Sequence, residues 1–278
     1  MARTNLAATR VKPDTSQLLT LHVLRREAVS PGFVRVTLGG GDIAAFRPMG
    51  FDQWFRLFLP VKDAGELTRL PDRLGTLEYL RYLTISKAQR PVLRSYTVRA
   101  FRPEGPHGAE LDVDLVIHGS VQEGTAGPAA LWAQACAVGD AVAVLDEGIG
   151  FNPPPGTERL MLVADETGLP AVAGILGSLP HDAVGTVHVE VPTDEDRQEL
   201  DGPPGMAVTW VRRERPGAVP GATVRRVVEG LPVPVEQAYG WVVGEQALAT
   251  GVRRHWVATG LAKDRIMFCG YWRSRRHD

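Results

Sequence analysis

The pattern of apolar residues changes near the middle of the chain, and this change restricts the fold more than any other sequence feature. Before residue 150, short segments alternate apolar and polar residues, as in Leu111-Asp112-Val113-Asp114-Leu115, and turns rich in Gly and Pro separate them. A period of two is typical of antiparallel strands with one buried face. After residue 156, continuous apolar runs alternate with helical patterns, which is typical of an open, mostly parallel sheet covered on both faces. The sequence therefore predicts a β domain followed by an α/β domain.

Six strands are predicted in the first half, and six antiparallel strands joined by short turns favour a small closed barrel. They are Leu18–Arg25, Phe33–Gly39, Gln53–Leu59, Arg94–Phe101, Glu110–His118 and Ala141–Leu145. The segment Lys62–Pro91 interrupts this pattern and is predicted to be a long connection with one helix around Leu77–Leu83. Another helix is predicted over 127–136, because Pro128 suits the first helical position and Gly139 lies just past the end.

The second half is predicted to alternate strands and helices. Its strands are Arg159–Ala164, Thr186–Val191, Ala207–Arg212, Gly240–Gly244 and Arg265–Cys269, and its helices are Gly168–Leu179, Ala222–Gly230 and Gln246–Thr259. The Pro-rich turn Phe151–Gly156 is the predicted linker between the halves. We therefore expect a flexible segment at 1–17, a barrel domain at 18–152, and an α/β domain with a basic C-terminal tail at 157–278.

Composition narrows the class of protein. The chain has 278 residues, 44% hydrophobic and 23% charged residues, and a formal net charge of -1, which fits a soluble globular protein with no overall attraction to nucleic acid or anionic membranes. Its two cysteines, Cys136 and Cys269, lie in apolar surroundings and are predicted to be buried free thiols. No apolar run reaches the ~20 residues of a membrane span, and the first 17 residues lack a signal-peptide core. We expect a cytoplasmic protein without membrane insertion.

One strand carries residues suited to a flat, phosphorylated ligand. In Arg94-Ser95-Tyr96-Thr97-Val98-Arg99, alternation sends Arg94, Tyr96 and Val98 to one face and the other three residues to the opposite face. Arginine can hold a phosphate through two parallel hydrogen bonds, and tyrosine can lie against a flat ring. On these residues alone, an ordinary strand with charged flanks fits equally well.

A helix start downstream could complete such a site. His118-Gly119 ends a predicted strand, and Gly127-Pro128-Ala129 opens the next helix. Unpaired backbone amides and the positive end of the helix dipole make a helix start suitable for a pyrophosphate, and Gly127 would let the ligand approach closely. A capped helix that binds nothing is the alternative.

Two strand-to-helix turns in the second half occupy the position where open α/β sheets bind ligands, the carboxyl ends of the strands. The first is Ala164-Asp165-Glu166-Thr167-Gly168, and the second is Gly244-Glu245. The first turn lacks the Gly-x-Gly-x-x-Gly fingerprint, and its carboxylates would repel a phosphate placed on them. Asp165 and Thr167 therefore fit helix caps as well as ligand contacts.

The end of the chain combines aromatic and basic residues in Gly270-Tyr271-Trp272-Arg273-Ser274-Arg275-Arg276. The aromatics could cover a flat ring and the cations could meet an anionic substrate, but a solvated basic tail is the commoner meaning of such a run. Arg212, Arg213 and Arg215 form a second basic cluster with the same two interpretations. The sequence contains no P-loop, no Gly-x-Ser-x-Gly elbow and no convincing metal-ligand spacing.

Taken in order, these motifs resemble those of the siderophore-interacting protein family of FAD-dependent ferric-siderophore reductases. The matching segments are Arg94–Arg99, Asp112–Gly119, Gly127–Ala133, Ala164–Ala171, Tyr239–Glu245 and Gly270–Arg273. They span the chain from about Leu21 to Arg273. Each motif is weak alone, whereas six motifs in the family's order are specific.

The resemblance implies a ferredoxin-reductase-like architecture, with a six-stranded antiparallel FAD-binding barrel followed by a mostly parallel α/β domain that binds NADPH or NADH. It assigns the FAD pyrophosphate to Arg94 and the isoalloxazine to Tyr96 and Thr97. The other residues expected to contact FAD are Ser95, Val98, His118, Gly119, Gly127, Pro128, Ala129 and Trp132. Those expected near the nicotinamide or the flavin edge are Asp165, Thr167, Gly244 and Glu245. Those expected to face the anionic ferric siderophore are Arg273, Arg275 and Arg276.

The implied activity is reduction of chelated Fe(III) to Fe(II), with release of the iron. It needs no catalytic side chain, general base or protein metal ligand, because the cofactor carries the chemistry. One alternative is a ferredoxin-reductase-like electron-transfer flavoprotein that serves another protein or a free flavin. It would need a separate redox partner, such as a ferredoxin, because no cysteines have iron–sulfur spacing. Another is a siderophore carrier or flavin-binding protein without activity. A sugar- or nucleic-acid-binding barrel is disfavoured, because basic and aromatic residues do not alternate along its strands.

Overall fold

A computed structural model of the chain describes residues 4–61, 64–70, 82–86, 89–119, 126–215 and 217–274. They form two compact units. The barrel unit comprises the described residues of Lys12–Met49 and Gln53–Gly148, and the α/β unit comprises those of Met1–Val11, Gly50–Asp52 and Ile149–Asp278. Most of the helix predicted around Leu77–Leu83 lies outside the described residues.

The barrel unit contains one antiparallel sheet of seven strands. The strands are β1 (Leu18–Ser30), β2 (Phe33–Gly39), β3 (Trp54–Leu59), β4 (Val92–Thr97), β5 (Ala100–Gly105), β6 (Gly108–Val116) and β7 (Ala141–Gly148), and their order in the sheet is β4-β3-β7-β1-β2-β6-β5. The two ends of this order meet, because Val98 N donates to Gln53 O at 2.8 Å and Arg99 N donates to Asp112 O at 2.9 Å. The sheet is therefore barrel-like, as predicted.

The number of strands differs from the predicted six because the segment Arg94–Phe101 bends. Strand β4 ends at Thr97, and β5 begins at Ala100. The two residues between them donate to different neighbouring strands, so the chain crosses from β3 to β6 at this point. Sequence periodicity continues across such a bend, which is why it predicted one strand.

The polar face of β6 is buried, in contrast to the predicted exposed face. Asp112 and Asp114 each retain only 3% of their exposure. Arg35 Nε donates to Asp114 Oδ1 at 2.6 Å, Arg102 Nη1 to Asp112 Oδ2 at 2.6 Å, and Thr37 Oγ1 to Asp112 Oδ1 at 2.7 Å. The guanidinium groups pair with the carboxylates, which allows both to be buried. The alternating pattern of β6 therefore does not indicate a solvent-exposed face.

The larger of two buried apolar clusters in the described barrel unit lies inside the sheet. It is built from the inward residues of β1, β2, β3, β6 and β7 and includes one face of helix α2 (Pro128–Ala135). The helix presents Ala129 and Ala133 to the cluster, since residues four apart lie on one face. Cys136 follows the helix in the same cluster, and both Cys136 and Cys269 are free and buried, as predicted.

The α/β unit contains a five-stranded parallel sheet and confirms the predicted α/β class. Its strands are β8 (Arg159–Ala164), β9 (Val184–Val191), β10 (Gly205–Arg212), β11 (Ala238–Glu245) and β12 (Ile266–Trp272), in the order β10-β9-β8-β11-β12. Its helices are α3 (Leu169–Ser178), α4 (Ala222–Glu229) and α5 (Gln246–Ala258), numbered after a single turn, α1 (Leu6–Thr9), near the start of the chain. The strand order reverses between β8 and β11, so their carboxyl ends form the switch point, the usual ligand position in such sheets.

Two short segments from the first half of the chain belong to the α/β unit. The side chain of Asn5 bonds to Ile266 O and Phe268 N at 2.7 and 2.9 Å. Asp52 Oδ1 accepts from Gly150 N and Phe151 N at 2.9 and 2.7 Å. Residues 4–11 of the segment 1–17 thus have defined contacts in the α/β unit. The predicted domain bounds, 1–17, 18–152 and 157–278, stay a prediction.

The described helices include none that is both long and apolar enough to cross a membrane.

Candidate active site

Strand β4 carries the residues predicted to bind a phosphate and a flat ring, and its arginine is available to a ligand. Arg94 is exposed, and its guanidinium forms one hydrogen bond within the described part of the chain, from Nη1 to Leu93 O at 2.7 Å. Tyr96 packs against the barrel's apolar cluster, and Thr97 and Val98 are buried. Burial raises the pKa of Tyr96 to about 12, although the charge of Arg94 opposes this. The phenol is therefore neutral at neutral pH, with its ring fixed in place.

The start of helix α2 provides the second part of this candidate site. Gly127 is the N-cap residue and provides no side-chain cap, and Pro128 follows in the first turn. A Cβ atom added to Gly127 would meet none of the described residues within 4 Å. The space beside the first amides of α2 is therefore open to a ligand, as a pyrophosphate cradle requires.

One apolar cluster brings the strand and the helix together. Ala129, Ala133 and Val98 belong to it, and Tyr96 and Trp132 pack against it. Ser95 is exposed on β4, and His118 and Gly119 are exposed just after β6.

A residue that sequence reasoning missed is Trp54. It pairs with Thr97 across the β3–β4 ladder, and its indole Nε1 is buried without a hydrogen-bond partner in the described part of the chain. Its position beside Thr97 follows from the strand register, which the linear sequence does not reveal.

These residues fit FAD. The available guanidinium of Arg94 and the open amides of α2 suit a pyrophosphate, and the fixed ring of Tyr96 suits a flat heterocycle. Arg94, Tyr96, Thr97 and the Gly127–Ala129 turn would hold it.

At the switch point of the α/β unit, Asp165 joins the ends of three strands. Its Oδ1 accepts from Thr167 N at 2.9 Å and from Thr167 Oγ1 at 2.5 Å. Its Oδ2 accepts from Glu245 N at 2.6 Å and from Trp272 Nε1 at 3.3 Å. Gly244 has φ +127 and approaches so closely that an added Cβ would lie 2.5 Å from the Asp165 carboxyl carbon. The structure therefore brings all four predicted residues of this site together: Asp165, Thr167, Gly244 and Glu245.

Asp165 has a structural role, because its carboxylate is bonded to neighbouring residues. It is fully buried, and the hydrogen bond to Thr167 N makes it a helix cap, one of the two predicted alternatives. Glu245 is also buried, and it caps α5 through Ala247 N. Gly244 is buried as well, so the half-buried Thr167 is the part of this set that a nicotinamide could contact.

Next to Asp165, the carboxylate of Glu166 is paired with a buried arginine. Arg213 Nη2 donates to Glu166 Oε2 at 2.5 Å and Arg213 Nε to Glu190 Oε1 at 3.0 Å. Burial raises the pKa of Glu166, and Arg213 opposes the shift. Arg213 is thus a buried structural cation and does not belong to a solvated basic surface. This pairing also reduces the repulsion that the turn would exert on a phosphate.

The C-terminal segment lies at the same edge of the sheet. Ser274 N donates to Glu245 Oε1 at 3.1 Å, and the neighbouring Trp272 is the residue bonded to Asp165. Arg273, between them, is exposed. Arg275 and Arg276 lie outside the described residues, so their expected contact with the siderophore stays a prediction.

An antiparallel barrel-like sheet followed by a parallel sheet with a switch point defines a ferredoxin-reductase-like fold. The ferredoxin-NADP+ reductase of Plasmodium falciparum shares this fold at 12% identity, with a TM-score of 0.62 over 90% of this chain and 95% of that one. Residues 22–149 match the profile of the siderophore-interacting FAD-binding domain, and residues 157–275 match that of the siderophore-interacting protein.

The chain is similar to several relatives along almost its whole length. Ferric vibriobactin reductase ViuB of Vibrio cholerae is 30% identical over 93% of this chain and 90% of its own. The NADPH-dependent ferric-chelate reductase of Escherichia coli is 27% identical over 92% of both. A siderophore utilization protein from T. fusca has a TM-score of 0.74 and 30% identity over 97% of both chains. The chain belongs to the siderophore-interacting protein family and contains its FAD-binding domain, which confirms the predicted family.

Proposed function

We propose that the protein is a cytoplasmic ferric-siderophore reductase that uses NAD(P)H and FAD to reduce chelated Fe(III) and release Fe(II). The observation that carries this proposal is the match to a ferric vibriobactin reductase over 93% of this chain and 90% of the relative. A match of this extent includes both units. It therefore supports the proposed reaction as a whole, from nicotinamide to ferric chelate, and not the FAD-binding domain alone.

The residues of the barrel unit support the flavin half of the proposal. Arg94 and the first amides of α2 would bind the pyrophosphate, and Tyr96 and Thr97 would orient the isoalloxazine. Bound FAD would supply the redox chemistry that links the nicotinamide to the ferric chelate.

The residues of the α/β unit support the nicotinamide half. Asp165 fixes the switch-point turn through four hydrogen bonds, and the half-buried Thr167 on this turn would contact the nucleotide. Arg273 is exposed beyond β12 and would attract an anionic chelate. We assign no proton transfer to a side chain, because Fe(III) accepts an electron without one.

The test is anaerobic stopped-flow of the oxidised holoprotein. We expect NADPH or NADH to bleach the flavin and a ferric siderophore to restore its colour, while a ferrous chelator in the solution captures Fe(II). Hydroxamate, catecholate and carboxylate siderophores should be compared, because the chelate class sets the substrate. The proposal fails if the reduced flavin is reoxidised by a ferredoxin or free flavin but by none of the ferric chelates.

Binding without turnover would give a different result. A carrier would hold the ferric chelate tightly and leave the reduced flavin unchanged. Measuring chelate affinity alongside reoxidation therefore separates the reductase from both rivals.

A further inference from the structure

The carboxyl ends of β9 and β10 form an edge beside the switch point. Arg212 pairs with Val191 in the β9–β10 ladder, and Arg213 N extends the ladder by donating to Val191 O at 3.0 Å. In a sheet of this order, a dinucleotide extends from the switch point over the neighbouring strand ends. An acid ~20 residues after the first turn then accepts the ribose 2′-OH of NAD, whereas an arginine nearby accommodates the 2′-phosphate of NADP.

Glu190 is the acid at the corresponding distance, and it is unavailable to a ribose. It is fully buried. Its Oε1 accepts from Arg213 Nε at 3.0 Å and from Gly221 N at 2.9 Å, and its Oε2 accepts from Thr223 N and Val224 N, both at 3.0 Å. Each carboxylate oxygen thus already has two donors, which uses the capacity of the group. The carboxylate that would bind the ribose of NAD is therefore already bonded to Arg213 and to the start of helix α4.

In contrast to the buried Arg213, the nearby Arg212 and Arg215 are exposed. The Arg212 side chain is 66% exposed, and its nearest acid is Asp194 at a loose 3.7 Å. Arg215 is also exposed; its charge interacts with the neighbouring Glu214, but its side chain makes no hydrogen bond within the described part of the chain. Arg226, by contrast, donates to Glu214 at 2.6 Å. The edge therefore carries two guanidinium groups whose donors are largely unused.

We propose that Arg212 and Arg215 bind the 2′-phosphate of NADPH and make NADPH the preferred reductant. This inference rests on the proposed function, because it requires a nicotinamide nucleotide at the switch point. A guanidinium can bind a phosphate with two parallel hydrogen bonds, and a 2′-hydroxyl offers no comparable partner. Arg213 contributes indirectly, since its burial holds the end of β10 in place.

Equilibrium binding of adenine nucleotides tests this without enzyme turnover. On the oxidised holoprotein, calorimetry should show that 2′,5′-ADP binds at least about tenfold more tightly than ADP. The variants Arg212→Ala and Arg215→Ala should each lose about tenfold in 2′,5′-ADP affinity, the size expected for a hydrogen bond to a charged group, and change ADP affinity by less than about twofold. Added salt should weaken 2′,5′-ADP more than ADP.

Arg159→Ala is the matched control. It removes the same charge from an exposed position at the amino end of β8, the opposite edge of the same sheet, and should leave the affinities for both nucleotides unchanged. Asp194→Asn removes the carboxylate nearest to Arg212 and should increase 2′,5′-ADP affinity. FAD content and melting temperature confirm that each variant is folded.

Equal wild-type affinities for the two nucleotides would overturn the proposal. So would losses in the Arg212 and Arg215 variants no greater than in Arg159→Ala. The wider reductase proposal is tested separately, by ferric-chelate reduction with saturating NADH. If no chelate is reduced while 2′,5′-ADP discrimination persists, the function fails and the 2′-phosphate site stands.

Discussion

The backbone N–H of Glu245 donates to Asp165 Oδ2 at 2.6 Å, which joins the carboxyl ends of β11 and β8. These are the two strands between which the sheet order reverses. A carboxylate therefore fixes the width of the switch point, and the positive φ of Gly244 allows the backbone to approach it.

Asp165→Asn should change how the stability of the α/β unit depends on pH. Burial, reinforced by Glu166, raises the pKa of Asp165 from 3.8 to about 7. The folded protein then holds this proton more tightly than the unfolded chain between those values, so the group's contribution to the free energy of unfolding falls as pH rises through the window. The asparagine variant lacks this contribution. The stability difference, wild type minus variant, should therefore decrease from pH 4 to pH 7.

Urea denaturation read by hydrogen exchange at β8 and β11 amides, with saturating FAD, measures this difference. Asp182→Asn removes an exposed carboxylate from the same unit and controls for the loss of one charge. If the difference instead increases with pH, the four donors around Asp165 outweigh its burial, and the assigned direction is wrong.

Removing Arg213 should destabilise the α/β unit strongly. The variant Arg213→Met keeps most of the side-chain volume but leaves Glu166 and Glu190 buried without their common cation. Breaking a buried ion pair from one side costs about 3–5 kcal/mol. Arg226→Ala, which removes an exposed partner of Glu214, should have little effect. Comparable melting temperatures for the two variants would refute the structural role of Arg213.

The sequence predicted much of this architecture because its two halves have different periods. Strands β2 and β8 begin and end where their patterns predicted, since regular alternation or a continuous apolar run is bounded there by turn residues. The bend at Val98-Arg99 was not predictable, because it depends on which strands accept their hydrogen bonds. Asp52 shows the same limit, as its partner Trp241 lies 189 positions away in the chain.

The candidate site was predictable to a similar extent. The positions of Asp165 and Gly244 follow from strand-to-helix turns, which place both at the carboxyl edge of a parallel sheet. The different roles of Arg212 and Arg213 do not follow from the sequence, where they are adjacent residues of one type. Only the buried carboxylates Glu166 and Glu190 determine which of them turns inward.

Arg94→Ala should weaken FAD retention. The guanidinium is exposed and largely uncommitted, so its loss removes a phosphate contact without disturbing the barrel. We expect FAD to dissociate at least about tenfold more readily, as for the loss of a charge-assisted hydrogen bond, with an unchanged melting temperature of the apoprotein. Fluorescence of released flavin on dilution measures this. Arg25→Ala, another exposed arginine of the same unit, is the control, and full flavin in purified Arg94→Ala would remove the central FAD assignment.

Arg273→Ala should weaken reduction of the ferric chelate more than reduction of the flavin. Its side chain is exposed just beyond Trp272, where it would attract an anionic substrate. We expect kcat/KM for the chelate to fall several-fold through KM, with a reduced salt dependence, while the rate of flavin bleaching by NADPH stays the same. Lys263→Ala, an exposed cation before the amino end of β12, should leave both half-reactions unchanged. A slower bleaching step in Arg273→Ala would instead place this residue in the nicotinamide site.

Gly127→Asp should move stability and FAD affinity in opposite directions. The open space beside Gly127 accepts a side chain, and its extended backbone, with φ -71, suits an N-cap aspartate. The new carboxylate should stabilise the barrel unit by about 0.5 kcal/mol through the uncapped amides of α2, because glycine is itself a tolerable N-cap residue. The same charge would occupy and repel the position of the pyrophosphate, so the affinity for FAD should fall. Gly127→Ser, a neutral cap, should stabilise the unit similarly with a smaller loss of FAD. Urea denaturation of the apoprotein and flavin titration measure the two effects, and unchanged FAD affinity in Gly127→Asp would mean that the start of α2 is not the pyrophosphate cradle.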